Sequence, residues 1–451
     1  MKGRIALIDK ERYWNPIIET LPREKFQKLQ LKKFQNIFTW AYEHSKFYRK
    51  LYSEAGIEPG DIKTFEDVQK VPKIEKPMMR AIQGKDPYPY GDMLCVPLEK
   101  VTTYHQTSGT TGQPIYQPET WQDWEWYSET WACVLHSHGF RDYDRVFVPF
   151  SYNVFIAFWG VHYAAEKIGC EVIPGGGLNT EARILKMREL RATAFVATPT
   201  YVLAMADTAK TKLGIDPAKD LQVSKITVGG EPGGSILATR KRMEEAWGAK
   251  VYDAAGTCET GTWSYECLAQ CGLHINEALF LVELEDLNTG EPLLQPGRVG
   301  NLVVTAFDRM AQPCIRFNTK DLAEWSTEEQ CECGRTFRLL KGGILGRSDD
   351  MTKVKGVLLG PTVIEEIVRG SPQLGDEFEV IVVKKGDTDD ITLKVELIPE
   401  YKGEKSSVEE ELMRELRIKT NLRFNLEFHD YGSLPRYELK SKRFKDLRSK
   451  Q

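Results

Sequence analysis

Apolar residues recur at helical spacing near the start of the chain, in residues 13–50. Charged positions separate them, so the apolar side chains fall on one stripe of a helix. The members of this stripe are Leu29, Leu31, Phe34, Ile37, Phe38 and Ala41. The pattern predicts an amphipathic helix over residues 13–50 that covers a core, in preference to a helix that binds a partner.

After Pro114, short apolar runs alternate with longer amphipathic segments. Helical segments such as residues 180–190 and 235–247 separate the runs. The runs have the length of strands and lie at residues 145–148, 171–173, 194–197, 225–228 and 250–252. Strand–helix alternation of this kind predicts parallel sheets with helices on their faces.

Residues 280–305 carry a different pattern, in which turn residues at 288–290 and 296–297 separate apolar runs. This predicts an antiparallel or barrel-like section.

A domain boundary is predicted near residues 346–350. The pattern after it predicts two strands, at residues 377–384 and 391–397, and a helix over residues 407–420. The expected fold is α/β, with a large N-terminal domain that holds parallel sheets, helices and a small β-barrel-like section, and a small mobile α+β domain. The expected parts are residues 1–346, a hinge at 347–350, and residues 351–451.

Composition narrows the class of protein. Hydrophobic residues make up 41% and charged residues 28%, which excludes a disordered chain. Lys and Arg number 61 and Asp and Glu 65, so no excess of positive charge draws the chain to nucleic acid or to an anionic membrane. The nine Cys residues do not form a secreted framework, and the charged start is no signal peptide. We therefore expect a cytoplasmic location.

Residues 146–165 lack Asp, Glu, Lys and Arg and are long enough to cross a bilayer. Pro149, Ser151, Asn153 and His162 interrupt this run. A buried strand followed by a turn and a helix is the better interpretation.

The segment Thr107-Ser108-Gly109-Thr110-Thr111-Gly112-Gln113-Pro114 concentrates hydroxyls and glycines in one turn. Glycines let several backbone N–H groups approach an anion, and hydroxyls add donors, so a phosphate-binding loop is one interpretation. Composition alone favours an ordinary polar turn. No Gly-Lys-Ser/Thr follows, so this is not the P-loop of common NTPases.

This loop resembles the phosphate loop of the acyl-adenylate-forming enzymes, which include acyl-CoA synthetases, firefly luciferase and adenylation domains. Four further segments resemble that family in order and spacing, and they lie at residues 255–259, 316–322, 346–350 and 434–440. The closer resemblance is to phenylacetate–CoA ligases, through residues 13–16, 229–232, 346–351, 355–357 and Pro361.

The resemblance implies that a carboxylate attacks the α-phosphate of ATP, pyrophosphate leaves, and the acyl group then passes from AMP to coenzyme A. Lys440 is implied to bridge the carboxylate and the α-phosphate, Glu259 to bind Mg²⁺, and Asp349 to act as the hinge. Asp321 is implied at the ribose hydroxyls. The other residues implied to bind the nucleotide are Ser108, Gly109, Thr110, Thr111 and Gly112 at the phosphates, Gly230, Glu231 and Asp253 at the adenine, and Arg347 at the ribose or phosphate.

Without the family, these residues also fit plainer roles, such as a surface acid at Glu259 and a solvated basic tail at Lys440. Three positions depart from the family pattern. Cys258 stands where Thr or Ser is usual, and Lys320 where Gly is common before the ribose Asp. Leu439 replaces the usual Gly before the catalytic lysine, which leaves open whether Lys440 or Lys442 is the working amine.

Cys267, His274, Cys331 and Cys333 form a second constellation, with Cys271 as a spare candidate. Three thiols and an imidazole match a tetrahedral zinc site. With no open position, such a zinc would be structural. The alternative is a set of unpaired cysteines.

Aromatic residues in the uncharged run bear on the identity of the acid substrate. Tyr152, Phe155 and Trp159 lie in that run, and Ala255 and Gly256 in the segment before Glu259; these residues are expected to line the acid pocket. The rings fit an aromatic acid and equally fit a core. We expect an ATP-dependent aryl carboxylate–CoA ligase, with a homodimer suggested by the family. The alternatives are transfer to another acceptor and a non-catalytic nucleotide-binding homologue.

Overall fold

The computed structural model describes residues 11–107, 113–327, 330–355, 357–385, 388–437 and 443–448. The chain divides into two compact units. Unit 1 comprises residues 1–177, 192–196 and 252–343, and unit 2 comprises residues 178–191, 197–251 and 344–451.

The helices are, in chain order, α1 (Pro16–Glu19), α2 (Arg23–His44), α3 (Lys46–Glu54), α4 (Phe65–Lys70), α5 (Lys76–Ile82), α6 (Trp121–Ser137), α7 (Ile156–Ile168), α8 (Thr180–Glu189), α9 (Pro199–Leu213), α10 (Pro217–Asp220), α11 (Leu237–Trp247), α12 (Pro361–Gly370) and α13 (Lys405–Thr420).

The strands are, in the same order, β1 (Thr103–Gln106), β2 (Tyr116–Glu119), β3 (Arg145–Val148), β4 (Glu171–Pro174), β5 (Ala194–Ala197), β6 (Lys225–Val228), β7 (Lys250–Thr257), β8 (Gly261–Tyr265), β9 (Leu273–Ile275), β10 (Phe280–Glu285), β11 (Val299–Ala306), β12 (Phe317–Glu324), β13 (Leu339–Leu340), β14 (Gly346–Arg347), β15 (Thr352–Val354), β16 (Val357–Leu359), β17 (Leu374–Lys385), β18 (Thr388–Leu397), β19 (Asn425–His429) and β20 (Phe444–Asp446).

Unit 1 contains both kinds of sheet that the sequence predicts. Strand β3 pairs in parallel with β4 and with β5. Strands β7, β8, β9 and β13 pair antiparallel in that order, as do β10, β11 and β12. The α/β fold class is therefore confirmed, and the section around residues 280–305 takes the antiparallel form.

The uncharged run of residues 146–165 forms part of β3, a turn and most of α7, as predicted. A Cβ at Gly160 would lie 2.4 Å from the Tyr127 ring and 2.6 Å from the Trp131 ring. Only glycine therefore allows α7 to approach α6 this closely. Within the described ranges, no helix combines the length and apolar character that crossing a bilayer requires.

The single helix predicted over residues 13–50 is wrong, because the segment forms α1, α2 and the start of α3. Pro22 is the N-cap of α2 with an extended ψ of 137°. The Ser45 side chain accepts a hydrogen bond from Tyr48 N and so starts α3. The apolar stripe from Leu29 to Ala41 lies wholly within α2, so it does not mark where this helix begins and ends.

In unit 2, residues after 350 form a sheet in which β17 and β18 pair antiparallel, with β20 parallel to β17 and β19 parallel to β18. Helices α12 and α13 cover a core that includes Val380, Leu393 and Leu412. The two strands and the helix predicted there are confirmed within a few residues. Both strands are longer than predicted.

Candidate functional site

The phosphate-loop candidates Ser108, Gly109, Thr110, Thr111 and Gly112 lie outside the described residues. The elements on either side of them form the antiparallel hairpin of β1 and β2. Thr107 and Ile115 close its end with two hydrogen bonds, from Thr107 N to Ile115 O and from Ile115 N to Thr107 Oγ1, each 3.0 Å. From α5, Arg80 Nε donates to Gln113 O at 2.8 Å. The hairpin thus holds both ends of the loop at a defined separation.

Glu259 lies in the turn between β7 and β8, and only 1% of it is exposed. The Nζ atom of Lys76, at the start of α5, lies 3.0 Å from Oε1 of Glu259. Within the described part of the chain, Oε2 of Glu259 has no hydrogen-bond partner, and the Lys76 ammonium faces Oε1. A buried carboxylate with free lone pairs has the hard-oxygen chemistry that Mg²⁺ requires.

A buried ion pair fixes the main chain at Glu259. Arg309 and Glu119 form this pair with no exposure of either side chain. NH1 of Arg309 donates to Cys258 O at 3.0 Å and also to Glu259 O. Burial raises the pKa of Glu119 to about 7, and the Arg309 guanidinium opposes that shift. Sequence reasoning missed Lys76, Arg309 and Glu119, since no local motif marks them.

Strand β7 carries the candidates Asp253, Ala255 and Gly256. Asp253 N donates to Glu266 Oε2 at 2.8 Å, which fixes this residue on the strand. The pairing with β8 shifts register between Ala255 and Gly256. A Cβ at Gly256 would lie 2.6 Å from the backbone of β8, so glycine is required there.

Asp321 lies on β12, where its N–H donates to Thr319 Oγ1 at 3.0 Å. The preceding Lys320 has a φ of +66°, a left-handed conformation that explains why glycine is usual at this position. The Nζ atom of Lys320 lies 2.9 Å from Glu75 Oε1. Glu75 therefore balances the positive charge that lysine adds in place of glycine.

Lys320→Gly is expected to be more stable than Lys320→Ala by about 0.5–1 kcal/mol, because only alanine keeps the left-handed strain. Both variants lose the pair with Glu75, so their difference isolates the backbone effect. Urea denaturation of the two variants measures it. Equal midpoints with equal slopes would contradict the strain argument.

Unit 2 carries Gly230, Glu231, Arg347 and Asp349. Gly230 follows β6 with a φ of +87°. Glu231 Oε1 accepts a hydrogen bond from Thr200 N at 2.8 Å. Arg347 makes a forked pair with Asp349, with Nε and NH2 at 2.9 and 2.8 Å from its two oxygens. Asp349, the hinge candidate, is therefore paired with Arg347, a candidate for nucleotide binding. Lys440 and Lys442 lie outside the described residues.

The acid-pocket candidates Tyr152 and Trp159 lie together, with ring centroids 4.7 Å apart. Phe155 is the residue that precedes the first residue of α7. Tyr152 Oη shares a hydrogen bond of 2.8 Å with His162 Nδ1, and Trp159 Nε1 donates to Asn153 O at 2.8 Å. Burial raises the pKa of Tyr152 to about 12, so it stays a neutral hydroxyl.

The four predicted metal ligands Cys267, His274, Cys331 and Cys333 come together, with all ligand atoms within 4.8 Å of one another. Cys267 Sγ lies 3.6 Å from Cys331 Sγ, and Cys333 Sγ lies 3.4 Å from His274 Nε2. Tetrahedral zinc with Zn–S bonds of about 2.3 Å gives ligand separations of about 3.8 Å. The observed separations fit zinc. Cys271, the spare candidate, is not part of this group.

The N-terminal segment packs against this cysteine cluster. Tyr13 Oη donates to Cys333 O at 2.7 Å. Arg335 donates through Nε to Glu19 at 2.6 Å and through NH2 to Arg12 O at 3.0 Å. A Cβ at Gly334 would lie 2.6 Å from the Tyr13 hydroxyl, so the Cys-x-Cys-Gly-Arg turn needs its glycine. The cluster therefore anchors residues 12–19.

Comparisons with known proteins bear on this arrangement. Residues 356–448 match the family described as the AMP-binding enzyme C-terminal domain. A phenylacetate–coenzyme A ligase of Thermus thermophilus is 35% identical over 388 residues, covering 85% of this chain and 84% of that protein. A phenylacetate–coenzyme A ligase of Aromatoleum evansii is 35% identical over 449 residues, covering 96% and 97%.

Among solved structures, 2-hydroxyisobutyryl-CoA ligase in the postadenylation state, in complex with R3-HIB-AMP, matches with a TM-score of 0.91. The identity is 28%, and the match covers 97% of this chain and 93% of that chain. The fold and these matches define an AMP-forming acid–CoA ligase, which uses ATP and coenzyme A. The chain belongs to the phenylacetate–coenzyme A ligase family.

Proposed function

We propose that the protein is an aryl carboxylate–CoA ligase that activates an aromatic or arylacetic acid through its acyl-adenylate. The observation that carries this proposal is the pair of rings formed by Tyr152 and Trp159, in a run that contains no Lys or Arg. Aromatic side chains that line a pocket favour an aromatic acid, because its ring buries apolar area and makes edge-to-face contacts with them. The run offers no Lys or Arg for a second carboxylate, which favours a monocarboxylic acid.

In the first half-reaction, a carboxylate oxygen of the acid bonds to the α-phosphorus of ATP and the bond to pyrophosphate breaks. The chemistry needs positioning and charge stabilisation more than covalent help from the protein. We assign Lys440 to bridge the acid and the α-phosphate as a compact cation. The loop at residues 108–112 would hold the outer phosphates, and Asp321 would accept the ribose hydroxyls.

Glu259 is proposed as the ligand of Mg²⁺. Its support is a buried carboxylate whose Oε2 has no hydrogen-bond partner among the described residues and whose Oε1 lies 3.0 Å from the Lys76 ammonium. Mg²⁺ would neutralise charge on the phosphates. The Arg309–Glu119 pair would keep the main chain at Glu259 in place whether the carboxylate of Glu259 binds Lys76 or the metal.

In the second half-reaction, the thiol sulfur of coenzyme A bonds to the acyl carbon and the bond to AMP breaks. The family resemblance assigns rotation of residues 351–451 about Asp349 to the interval between the two steps. Residues at the ends of elements commonly absorb such a change. Residues 1–346 and 351–451 are accordingly the proposed N-terminal and C-terminal domains.

We also propose that Cys267, His274, Cys331 and Cys333 hold one structural Zn²⁺. Four protein ligands leave no coordination position for substrate or water, so the metal would contribute stability and not catalysis. Its position beside Tyr13 and Arg335 supports a role in fastening the N-terminal segment to unit 1.

A panel of acids tests the aryl specificity. Pyrophosphate release with ATP, Mg²⁺ and coenzyme A is expected with phenylacetate or benzoate and much less with acetate or 2-hydroxyisobutyrate. Trp159→Ala is expected to raise KM for the aryl acid about 10-fold with KM for ATP unchanged, on the scale of a lost aromatic contact. Trp121→Ala, at a tryptophan that is 55% exposed, is the matched control.

Turnover confined to the aliphatic acids would overturn the aryl proposal and leave the ligase class intact. AMP release that does not depend on coenzyme A would instead point to another acceptor. Absence of pyrophosphate release with every acid would favour a non-catalytic homologue.

A further inference from the structure

The two oxygens of the Glu259 carboxylate have different surroundings. Lys76 Nζ lies 3.0 Å from Oε1, whereas Oε2 has no hydrogen-bond partner among the described residues. The side chain of Glu259 is 1% exposed and that of Lys76 is 34% exposed. An ammonium therefore engages one oxygen of a buried carboxylate, and the lone pairs of the other oxygen remain available for a ligand.

The turn that carries Glu259 is held in place through its main chain and its threonines. Thr260 N donates to Thr257 Oγ1 at 3.2 Å, and the two threonine hydroxyls share a hydrogen bond of 2.9 Å. NH1 of Arg309 donates to Cys258 O at 3.0 Å and also to Glu259 O. The carboxylate of Glu259 therefore extends from a fixed point of the chain.

Helix α5 likewise fixes the position from which Lys76 reaches this carboxylate. Lys76 is the first residue of the helix. Further along it, Arg80 Nε donates to Gln113 O at 2.8 Å, and Gln83 Oε1 accepts a hydrogen bond from Tyr116 N at 3.1 Å. Both partners of the pair are thus attached to well-anchored parts of unit 1.

Two other buried glutamates of unit 1 are paired in a different way. NH1 and NH2 of Arg23 donate to the two oxygens of Glu277 at 2.5 and 2.7 Å. Nε and NH2 of Arg316 donate to the two oxygens of Glu283 at 3.0 and 3.2 Å. A planar guanidinium engages both carboxylate oxygens, whereas an ammonium is a compact point charge. Lysine at position 76 therefore balances the charge of Glu259 without engaging its second oxygen.

The number of free oxygens on a carboxylate affects which divalent cation it binds. Mg²⁺ requires near-octahedral coordination with short bonds, and it is usually bound by one or two carboxylates together with substrate phosphates. Ca²⁺ takes more ligands at longer distances and accepts both oxygens of one carboxylate. A carboxylate that offers a single oxygen therefore suits Mg²⁺ and lacks the two-oxygen ligand that favours Ca²⁺.

We propose that Lys76 is a specificity-determining residue of the metal site, because its contact with Oε1 restricts Glu259 to one bond with the metal and so selects Mg²⁺ over Ca²⁺. The inference rests on the proposed role of Glu259 as the ligand of Mg²⁺. It adds which cations this ligand accepts and assigns a positioning role to Lys76.

Competition between Mn²⁺ and Ca²⁺ tests the proposal without turnover. Mn²⁺ serves as the probe because it prefers oxygen ligands, as Mg²⁺ does, and its free form is measured by electron paramagnetic resonance. The protein is saturated with α,β-methylene-ATP, and no acid is added. The wild-type complex is expected to prefer Mn²⁺ over Ca²⁺ about 10-fold more strongly than α,β-methylene-ATP alone does, because Ca²⁺ loses its two-oxygen ligand. A preference no greater than that of the analogue would overturn the proposal.

Lys76→Met removes both the charge and the contact with Oε1. The affinities for both cations are expected to rise, because a nearby positive charge is lost. The affinity for Ca²⁺ is expected to rise about 10-fold more than that for Mn²⁺, since both oxygens of Glu259 become available. An equal rise in the two affinities is what the loss of charge alone produces, and it would overturn the selection through one oxygen.

Two further variants separate the contact from the charge. Lys76→Gln loses the same charge but keeps an N–H donor for Oε1, so its preference for Mn²⁺ is expected to stay closer to the wild-type value than that of Lys76→Met. Lys70→Met is the matched control, because Lys70 pairs with Asp67 at 2.9 Å and is 68% exposed. Its preference for Mn²⁺ is expected to equal that of the wild type.

Glu259→Gln distinguishes failure of this inference from failure of the proposed function. This variant is expected to lower the affinity of the complex for Mn²⁺ about 10-fold, because a charged metal ligand becomes neutral. If the affinity does not change, Glu259 is not the metal ligand and the proposed function of that residue fails. If the affinity falls but Lys76→Met keeps the wild-type preference for Mn²⁺, only the role of Lys76 is overturned.

Discussion

Replacing Lys440 by alanine is expected to lower acyl-adenylate formation by about 10²–10³-fold, the usual cost of removing one preorganised group that stabilises transition-state charge. Reaction of supplied acyl-adenylate with coenzyme A is expected to stay within a few-fold. The reason is that the carboxylate and the α-phosphate have to be brought together, as Lys440 is proposed to do, only in the first half-reaction. Pyrophosphate exchange and thioester formation, measured separately, give the two rates.

Lys442→Ala is the matched control, because it removes the same charge two residues further along the same segment. If Lys440 is the working amine, this variant keeps most of the pyrophosphate exchange. A larger loss in Lys442→Ala than in Lys440→Ala would transfer the role to Lys442. Leu439 makes this comparison necessary, since the family usually has glycine before its lysine. Equal losses in both half-reactions would contradict the division of labour.

Cys333→Ser is expected to abolish metal binding and to destabilise unit 1 by about 4 kcal/mol or more, as loss of a structural metal commonly does. The purified protein is expected to contain about one zinc per chain, since four ligands close one tetrahedral site. Elemental analysis and denaturation midpoints measure the two quantities. Because Tyr13 and Arg335 join the N-terminal segment to this turn, protease cleavage within residues 11–20 is expected to increase as well.

Cys271→Ser tests whether the effect belongs to the cluster. Cys271 packs against the cluster without belonging to the group of four, and its Sγ is 3.6 Å from Ala269 O. This variant is expected to keep its zinc and its stability. A metal-free protein whose denaturation midpoint does not change with chelator would remove the zinc proposal and leave four buried side chains in mutual contact.

The local sequence pattern was sufficient to predict the bounds of an element where one short run of residues forms that element. The strands at residues 145–148, 194–197 and 225–228 match the predicted bounds, because short apolar runs between polar turns are typical of buried parallel strands. The N-terminal helix failed for the converse reason. Pro22 precedes α2 and Ser45 lies between α2 and α3, while the apolar stripe lies between these two residues and marks neither of them.

Residue types also predict which side chains form the cysteine cluster. Cys267, His274, Cys331 and Cys333 are the predicted ligands, and the structure brings their ligand atoms together. The sequence did not show what this cluster is for. Its contact with Tyr13 joins residues far apart in the chain, and such contacts leave no periodicity or motif.

The sequence by itself determined the family, the ligase class and the order of the candidate motifs, because these reside in short segments whose residue types are set by their chemistry. Only the tertiary structure revealed the partners of those motifs, which are Lys76 and Arg309 at Glu259 and Glu75 at Lys320. Each of these contacts joins a motif to a residue elsewhere in the chain. Folding alone brings such residues within hydrogen-bond distance, so no local pattern predicts them.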